Sequence, residues 1–242
     1  MTTVLKLGGS VITEKDEPET VDDVALERAA RALAGRDGIV VVHGGGSFGH
    51  HHADRYGVST TAGTHDPAGI RAIHGAMKRL NATVVDALAD VDVPALPVHP
   101  MSAAHREADG TLTLPTGQVG AMLAEGFVPV LHGDGVVRAG EGATVLSGDE
   151  LVVVLATVLG ADRVGVCSAV PGVYDDSGTV VDRIGSFDEV AGALGDSDAT
   201  DVSGGMAGKV RELLDLEAPA HVFDLAGLAA FLDGENPGTR ID

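Results

Sequence analysis

The chain is 242 residues long, 44% hydrophobic and 21% charged, which suits one large α/β domain and excludes a disordered chain. Lys plus Arg total 16 against 36 Asp plus Glu; this net charge of −20 excludes a basic nucleic-acid-binding face and points to a salt-rich setting, where counter-ions screen an acidic surface. No apolar run reaches the ~18 residues of a membrane span, no leader pattern opens the chain, and the single cysteine, Cys167, fits a reducing cytoplasm.

Residues 2–7 (TTVLKL) read as a buried, β-branched strand that stops at Gly8-Gly9. Residues 22–34 read as a helix with Val24, Leu26, Ala29, Ala30 and Leu33 on its apolar face and acids in its first turn. A strand over 38–43 (GIVVVH) runs directly into Gly44-Gly45-Gly46. The stretch that follows the glycine loop, HHHADRYGVSTTAG, has no apolar stripe, so no amphipathic helix is expected there. A long helix is expected over 68–90, then a strand near 95–99, a helix at 117–125 and a strand at 127–132 that ends in Gly133-Asp134-Gly135. Residues 149–159 are apolar on nearly every face, so that helix is expected to be buried. A strand at 163–167, a helix from Gly204-Gly205 to about 216, a strand near 221–224 and a helix at 226–233 follow.

Strands and helices alternate, which argues an α/β protein whose largely parallel sheet is covered on both faces. Glycines gather just after strands, at 8–9, 44–46 and 133–135. Ligands of such sheets sit outside the carboxyl ends of the strands, so these loops imply one shared phosphate-binding crevice. A soft lobe boundary is expected near 140–147.

Several clusters could carry chemistry. The GGGSFG stretch at 44–49 formally matches the dinucleotide pattern G-x-G-x-x-G, but without a helix behind it the loop reads as a nest of amides for an anion. The GGMAGK stretch at 204–209 looks like half a P-loop; Ser203 stands where the first glycine belongs and Val210 where Ser or Thr belongs, so it is no Walker A site. Lys209, about one turn into a helix, would still aim an ammonium at a phosphate. The chain has four lysines, Lys6, Lys15, Lys78 and Lys209, against 12 arginines. A lysine retained in such a background suits a point contact with a phosphoryl oxygen, which a planar guanidinium does not replace. His50, His51 and His52 are consecutive and point in different directions, and no metal-ligand spacing occurs, so no protein-held metal is expected. Asp134 and Asp149, each after a glycine, could orient a lysine, hold Mg²⁺ through water or cap a helix; for Asp149, at the head of the 149–159 helix, capping is the plain alternative. Met77, Met101 and Met122 read as core.

Four motifs in order, KLGGS at 6–10, HGGGSFGH at 43–50, LSGDE at 146–150 and GGMxxK at 204–209, resemble the amino acid kinase superfamily and, within it, the archaeal isopentenyl phosphate kinases. The histidine directly after GGGSFG is the specific part, similar to these enzymes and to the related fosfomycin kinases. The resemblance covers nearly the whole chain and implies an open αβα sandwich, with an acceptor-binding lobe over about 1–145 and a nucleotide-binding lobe over about 146–242. It implies ATP and Mg²⁺ as the nucleotide and its ion, isopentenyl phosphate as acceptor, and a homodimer. By motif it places Lys6, Leu7, Gly8, Gly9, Ser10, Gly46, Ser168, Gly205 and Lys209 at the nucleotide, and Gly45, His50, Gly148 and Asp149 at the acceptor. Lys6, Lys15, His50 and Lys209 would serve the transfer itself. An apolar slot for the acceptor's tail is expected from the 53–64 loop and the 68–80 helix, with Ala62 and Gly63 admitting it. The family's nucleotide loop reads like TDVDGVY; here residues 168–174 are SAVPGVY, without either acid. The resemblance also admits a related small-molecule kinase, such as a fosfomycin kinase, or a non-catalytic ligand sensor on the same fold.

Overall fold

The computed structural model describes residues 1–194 and 205–242, so Gly204 of the GGMxxK motif, with Ser203, lies outside the described residues. In chain order the strands are β1 (Thr3–Leu7), β2 (Ile39–His43), β3 (Ala95–Pro97), β4 (His105–Arg106), β5 (Leu112–Thr113), β6 (Val128–His132), β7 (Asp134–Arg138), β8 (Gly142–Leu146), β9 (Arg163–Ser168), β10 (Arg183–Ile184), β11 (Ala220–Asp224) and β12 (Thr239–Ile241). The helices are α1 (Gly9–Ile12), α2 (Asp23–Leu33), α3 (Gly46–Tyr56), α4 (Pro67–Ala89), α5 (Gly117–Ala124), α6 (Gly148–Leu159), α7 (Ala191–Leu194), α8 (Gly205–Leu214) and α9 (Leu228–Leu232).

Eight strands form the main sheet in the order β10-β12-β11-β9-β1-β2-β6-β3. Pairing is parallel except between β11 and β12. The strands before residue 133 fill one half and those after residue 162 the other, meeting at β1 and β9. Period-two alternation splits the core between the two faces. Val4, Val40, Val42 and Val166 pack with α5, α6 and α8, while Leu5, Leu7, Ile39 and Val41 pack with α2, α4 and α9. This is the expected open αβα sandwich.

Four local expectations need correction. Val24 is exposed and Ala25 takes its place on the buried face of α2, because Val24 lies 200° of helical turn from Leu26, off the Leu26–Ala29–Leu33 stripe. Helix α3 begins at Gly46 and runs to Tyr56, into the 50–63 stretch expected to lack a helix. Its buried face is only Ser47, Phe48, Gly49 and Ala53; apart from Phe48 these are small residues that let it lie close to α4, and such a face has little apolar signal. Thus the missing helix was no ground for setting the dinucleotide pattern aside; the distinction rests on what the loop holds. Residues 134–146 form the hairpin β7–β8, so Gly135 lies in a strand rather than in a glycine loop; the hairpin is part of a small sheet in the order β5-β4-β7-β8 that folds over the crevice edge. Helix α6 buries one face, Leu151, Val152, Leu155 and Ala156, and leaves Val158 exposed, so it lies on the sheet rather than inside the core.

Candidate functional site

The carboxyl ends of β1, β2, β6 and β9 open into one cleft of about 900 Å³. β2 and β9, the neighbours of β1, lie on its opposite sides, so the connections diverge there and a ligand crevice forms. Every residue expected at the phosphates lines this cleft except Leu7. Leu7 buries its side chain in the core and gives its carbonyl to the Gly44 N–H at 2.9 Å.

Two glycine loops meet at the floor. A Cβ on Gly9 would stand 2.1 Å from the Gly46 nitrogen, so only glycine permits this approach. Gly46 also has φ +47°, a left-handed conformation. Thr13 ties the two loops: its hydroxyl donates to the Gly9 carbonyl at 2.8 Å and accepts the Ser47 N–H at 3.0 Å. Sequence reading missed Thr13, since a lone threonine carries no motif. Among the described residues the backbone N–H groups of Gly9, Ser10, Gly45, Gly46 and Gly148 have no protein acceptor, whereas Gly8 donates to Cys167 at 2.8 Å. Free amides on converging loops make an anion cradle.

The cations gather on one carboxylate. Lys6, buried on β1, brings its Nζ within 2.5 Å of Asp149 Oδ2, and Lys209, in the second turn of α8, brings its Nζ within 2.9 Å of the same oxygen. Asp149 is therefore a lysine orienter. The capping role falls instead to Ser147, whose hydroxyl accepts the Glu150 N–H at 3.0 Å. Gly148 leaves room for the Lys6 stem: a Cβ there would lie 3.3 Å from Lys6 Cε. Burial pushes the Lys6 ammonium down to about 8, opposed by Asp149 and assisted by Lys209. Burial alone would raise Asp149; the two lysines outweigh it and hold the carboxyl at about 2. On α8, one turn beyond Lys209, burial raises Glu212 to about 7, with Asp149 adding to the shift.

Because Lys6 must be charged to hold an anion, anion binding weakens as pH rises through its value. In the free enzyme kcat/KM should therefore fall on a limb near pH 8. In Lys6→Arg, whose guanidinium stays charged, that limb should disappear even as the rate falls; an unchanged limb would assign it to another group.

On the other wall stand Lys15, exposed, and His50, half-buried on α3 beside Gly45. The apolar side is Ala53, Ile73, Met77, Val145 and Leu146. Ala62 and Gly63 are elsewhere: the 59–64 segment runs along β8, with Thr64 bonded to Ala143, because its backbone adds to that sheet edge. Met77 is both core and cleft wall, with its Sδ against Gly49. Asp134 does not reach a lysine; it accepts from His74 Nδ1 at 2.9 Å and from the Gly135 and Met101 amides.

The amino acid kinase family model matches residues 1–223. The isopentenyl phosphate kinase of Haloferax volcanii is 64% identical across 98% of this chain and 97% of its own. That of Methanothermobacter thermautotrophicus is 34% identical across 98% of each. Among solved structures, an isopentenyl phosphate kinase superposes with a TM-score of 0.87 at 31% identity over 100% of both chains. A carbamate kinase of Giardia, at 15% identity, a TM-score of 0.67, and 99% and 98% coverage, shares the fold.

Proposed function

We infer, because the chain belongs to the amino acid kinase family in its isopentenyl phosphate kinase branch, that it transfers the γ-phosphoryl group of ATP to isopentenyl phosphate. An acceptor phosphate oxygen forms the new P–O bond as the bond to the β-phosphate oxygen breaks, giving isopentenyl diphosphate and ADP. The observation that carries the reading is the convergence of Lys6 and Lys209 on Asp149 beneath the free glycine amides. The acceptor is a phosphate monoester, ionised near pH 7, so no general base is needed. What the reaction needs is alignment and relief of repulsion between two anions.

In this reading Gly9, Ser10, Gly46, Gly205, Lys6 and Lys209 hold the nucleotide phosphates. Gly45, His50 and Gly148 face the acceptor phosphate, and Lys15 closes on the transferring group. Gly8 supplies close approach, Ser168 borders the nucleotide, and Ala53, Ile73, Met77, Val145 and Leu146 take the isoprenoid tail. These roles divide between an N-terminal acceptor lobe and a C-terminal nucleotide lobe. Mg²⁺ fits as a passenger on the triphosphate: Asp149 and Asp134 are engaged, and no cluster of three or more His, Cys, Asp or Glu among the described residues is placed to hold a metal. Bound to phosphate oxygens, it neutralises their charge. The family likeness supports a homodimer, to be read by light scattering.

The decisive assay supplies ATP, Mg²⁺ and isopentenyl phosphate in molar KCl and follows isopentenyl diphosphate by mass spectrometry. Its absence from folded protein would redirect the reading to another small acceptor, with fosfomycin tested next. The acidic composition supports work in a salt-rich cytoplasm. Since screening shortens from roughly 10 Å at 0.1 M to 3 Å at 1 M, Tm should climb with KCl; a flat or falling Tm rejects salt adaptation.

A further inference from the structure

His43 and His132 lie beside each other at the ends of β2 and β6, each buried and each followed by a glycine of the cleft. Their rings stack at 5.5 Å and 29°. Neither belongs to the phosphate contacts above, yet both touch the loops that make them. His43 Nδ1 lies 3.1 Å from the Gly44 carbonyl oxygen and His132 Nδ1 2.9 Å from that of Gly133.

The tautomer of His43 follows from its other neighbour. Asn81, buried on α4, has its Nδ2 3.2 Å from the Val130 carbonyl oxygen and 3.2 Å from His43 Nε2. A carbonyl can only accept, so the Asn81 amide nitrogen must face it, and the same NH₂ then donates to His43 Nε2. With Nε2 accepting, the ring proton sits on Nδ1 and is donated to Gly44. Burial drives the imidazole down to about 3, so the ring is neutral throughout the working range. A peptide plane held by its carbonyl is held by its N–H as well. The plane that starts at the Gly44 carbonyl ends at the Gly45 N–H, one of the free amides of the cradle.

We propose that His43, set in its Nδ1–H tautomer by Asn81, is a positioning residue that locks the Gly44–Gly45 peptide so that the amides of the glycine loop point at the transferring phosphates. This rests on the phosphotransferase reading of the cleft. Gly44 has no side chain of its own to hold the plane, and its surroundings are themselves glycine. A buried donor on the preceding strand residue supplies the missing restraint.

The test titrates isopentenyl phosphate, whose phosphate the Gly45 amide faces, by calorimetry into wild type, His43→Leu, His43→Asn and the double variant His43→Leu/Asn81→Leu, with kcat measured alongside. Stoichiometry reports the folded fraction, so Kd is free of simple unfolding. His43→Leu should bind about tenfold more weakly, the worth of one charge-assisted hydrogen bond partly lost, with lower kcat. His43→Asn, whose amide can donate near the Nδ1 position, should recover most of both. The double variant removes the unpaired Asn81 amide and should regain Tm without regaining Kd; it carries the test if the single leucine variant does not fold. The proposal is overturned if Kd is unchanged in His43→Leu, if His43→Asn is no better than leucine, or if the double variant regains Kd together with Tm. Wild type that binds isopentenyl phosphate but makes no isopentenyl diphosphate would instead sink the reaction assignment and leave this comparison intact.

Discussion

His50→Ala should lower turnover by roughly 10²–10³-fold, the usual effect of removing one preorganised donor from a developing or transferring anion, while Tm moves by no more than about 2 °C. The asymmetry follows from where the ring sits. His50 is half-buried on α3, lines the cleft beside Gly45, and makes no hydrogen bond to another described residue. Truncating it therefore leaves no orphaned partner and no core cavity. Its neighbour His52 is different: Nε2 is 2.6 Å from Glu19, which also binds Arg79, so that histidine belongs to the scaffold. His50→Gln separates hydrogen bonding from charge, because it keeps a neutral donor. Steady-state kinetics and a melting curve on the same preparation check the pair of expectations, and turnover within threefold of wild type would remove His50 from the acceptor site.

Asp149→Asn should damage stability and catalysis together. One carboxylate oxygen serves as counter-ion to two ammonium groups, one of them on a buried strand. Deleting one partner of a buried ion pair costs about 3–5 kcal/mol, because the remaining charge stays desolvated. For a chain of this size that corresponds to a Tm lower by roughly 10 °C. Loss of the anchor also releases both lysines from the phosphate positions, and turnover should fall at least about 100-fold.

The pH dependence gives the sharper check. Without Asp149 only the weaker attraction of Glu212 opposes burial at Lys6, so its folded-state value falls below the about 8 of the wild type. The unfolded chain then holds more protons than the folded one across the neutral and alkaline range, and stability rises with pH. The Tm deficit of the variant should therefore shrink from pH 6.5 to pH 9. In the wild type the carboxylate has the opposite sign. Its folded value of about 2 lies below the ordinary one, so its contribution is full above about pH 4 and is lost as pH falls through about 2. A variant with an undiminished Tm at pH 6.5 would show that the lysines do not depend on this oxygen.

Much of this molecule was legible in the order of its residues. The strands 2–7, 38–43, 127–132 and 163–167 were readable because a strand buried on both faces is a continuous apolar run, and the structure places them side by side at β1, β2, β6 and β9. The cleft was readable because glycines follow three of these strands, and because three of the four lysines fall at positions the resemblance assigns to the site. These are local properties: period, punctuation and composition depend on neighbours along the chain.

Tertiary structure decided what depends on neighbours in space. Helix α3 forms despite a weak stripe because its small face fits against α4 and its first turn is tied to Thr13. The 134–146 segment is a hairpin because pairing with β4, not any signal of its own, completes a second sheet. The sharing of Asp149 by Lys6 and Lys209, 143 and 60 residues away along the chain, and the hold of Asn81 on His43 across 38 residues, have no signature in spacing. Burial decides these charges and tautomers: an isolated ammonium, carboxylate or imidazole keeps its solution behaviour, and only a dry, crowded site makes one oxygen or one ring nitrogen matter.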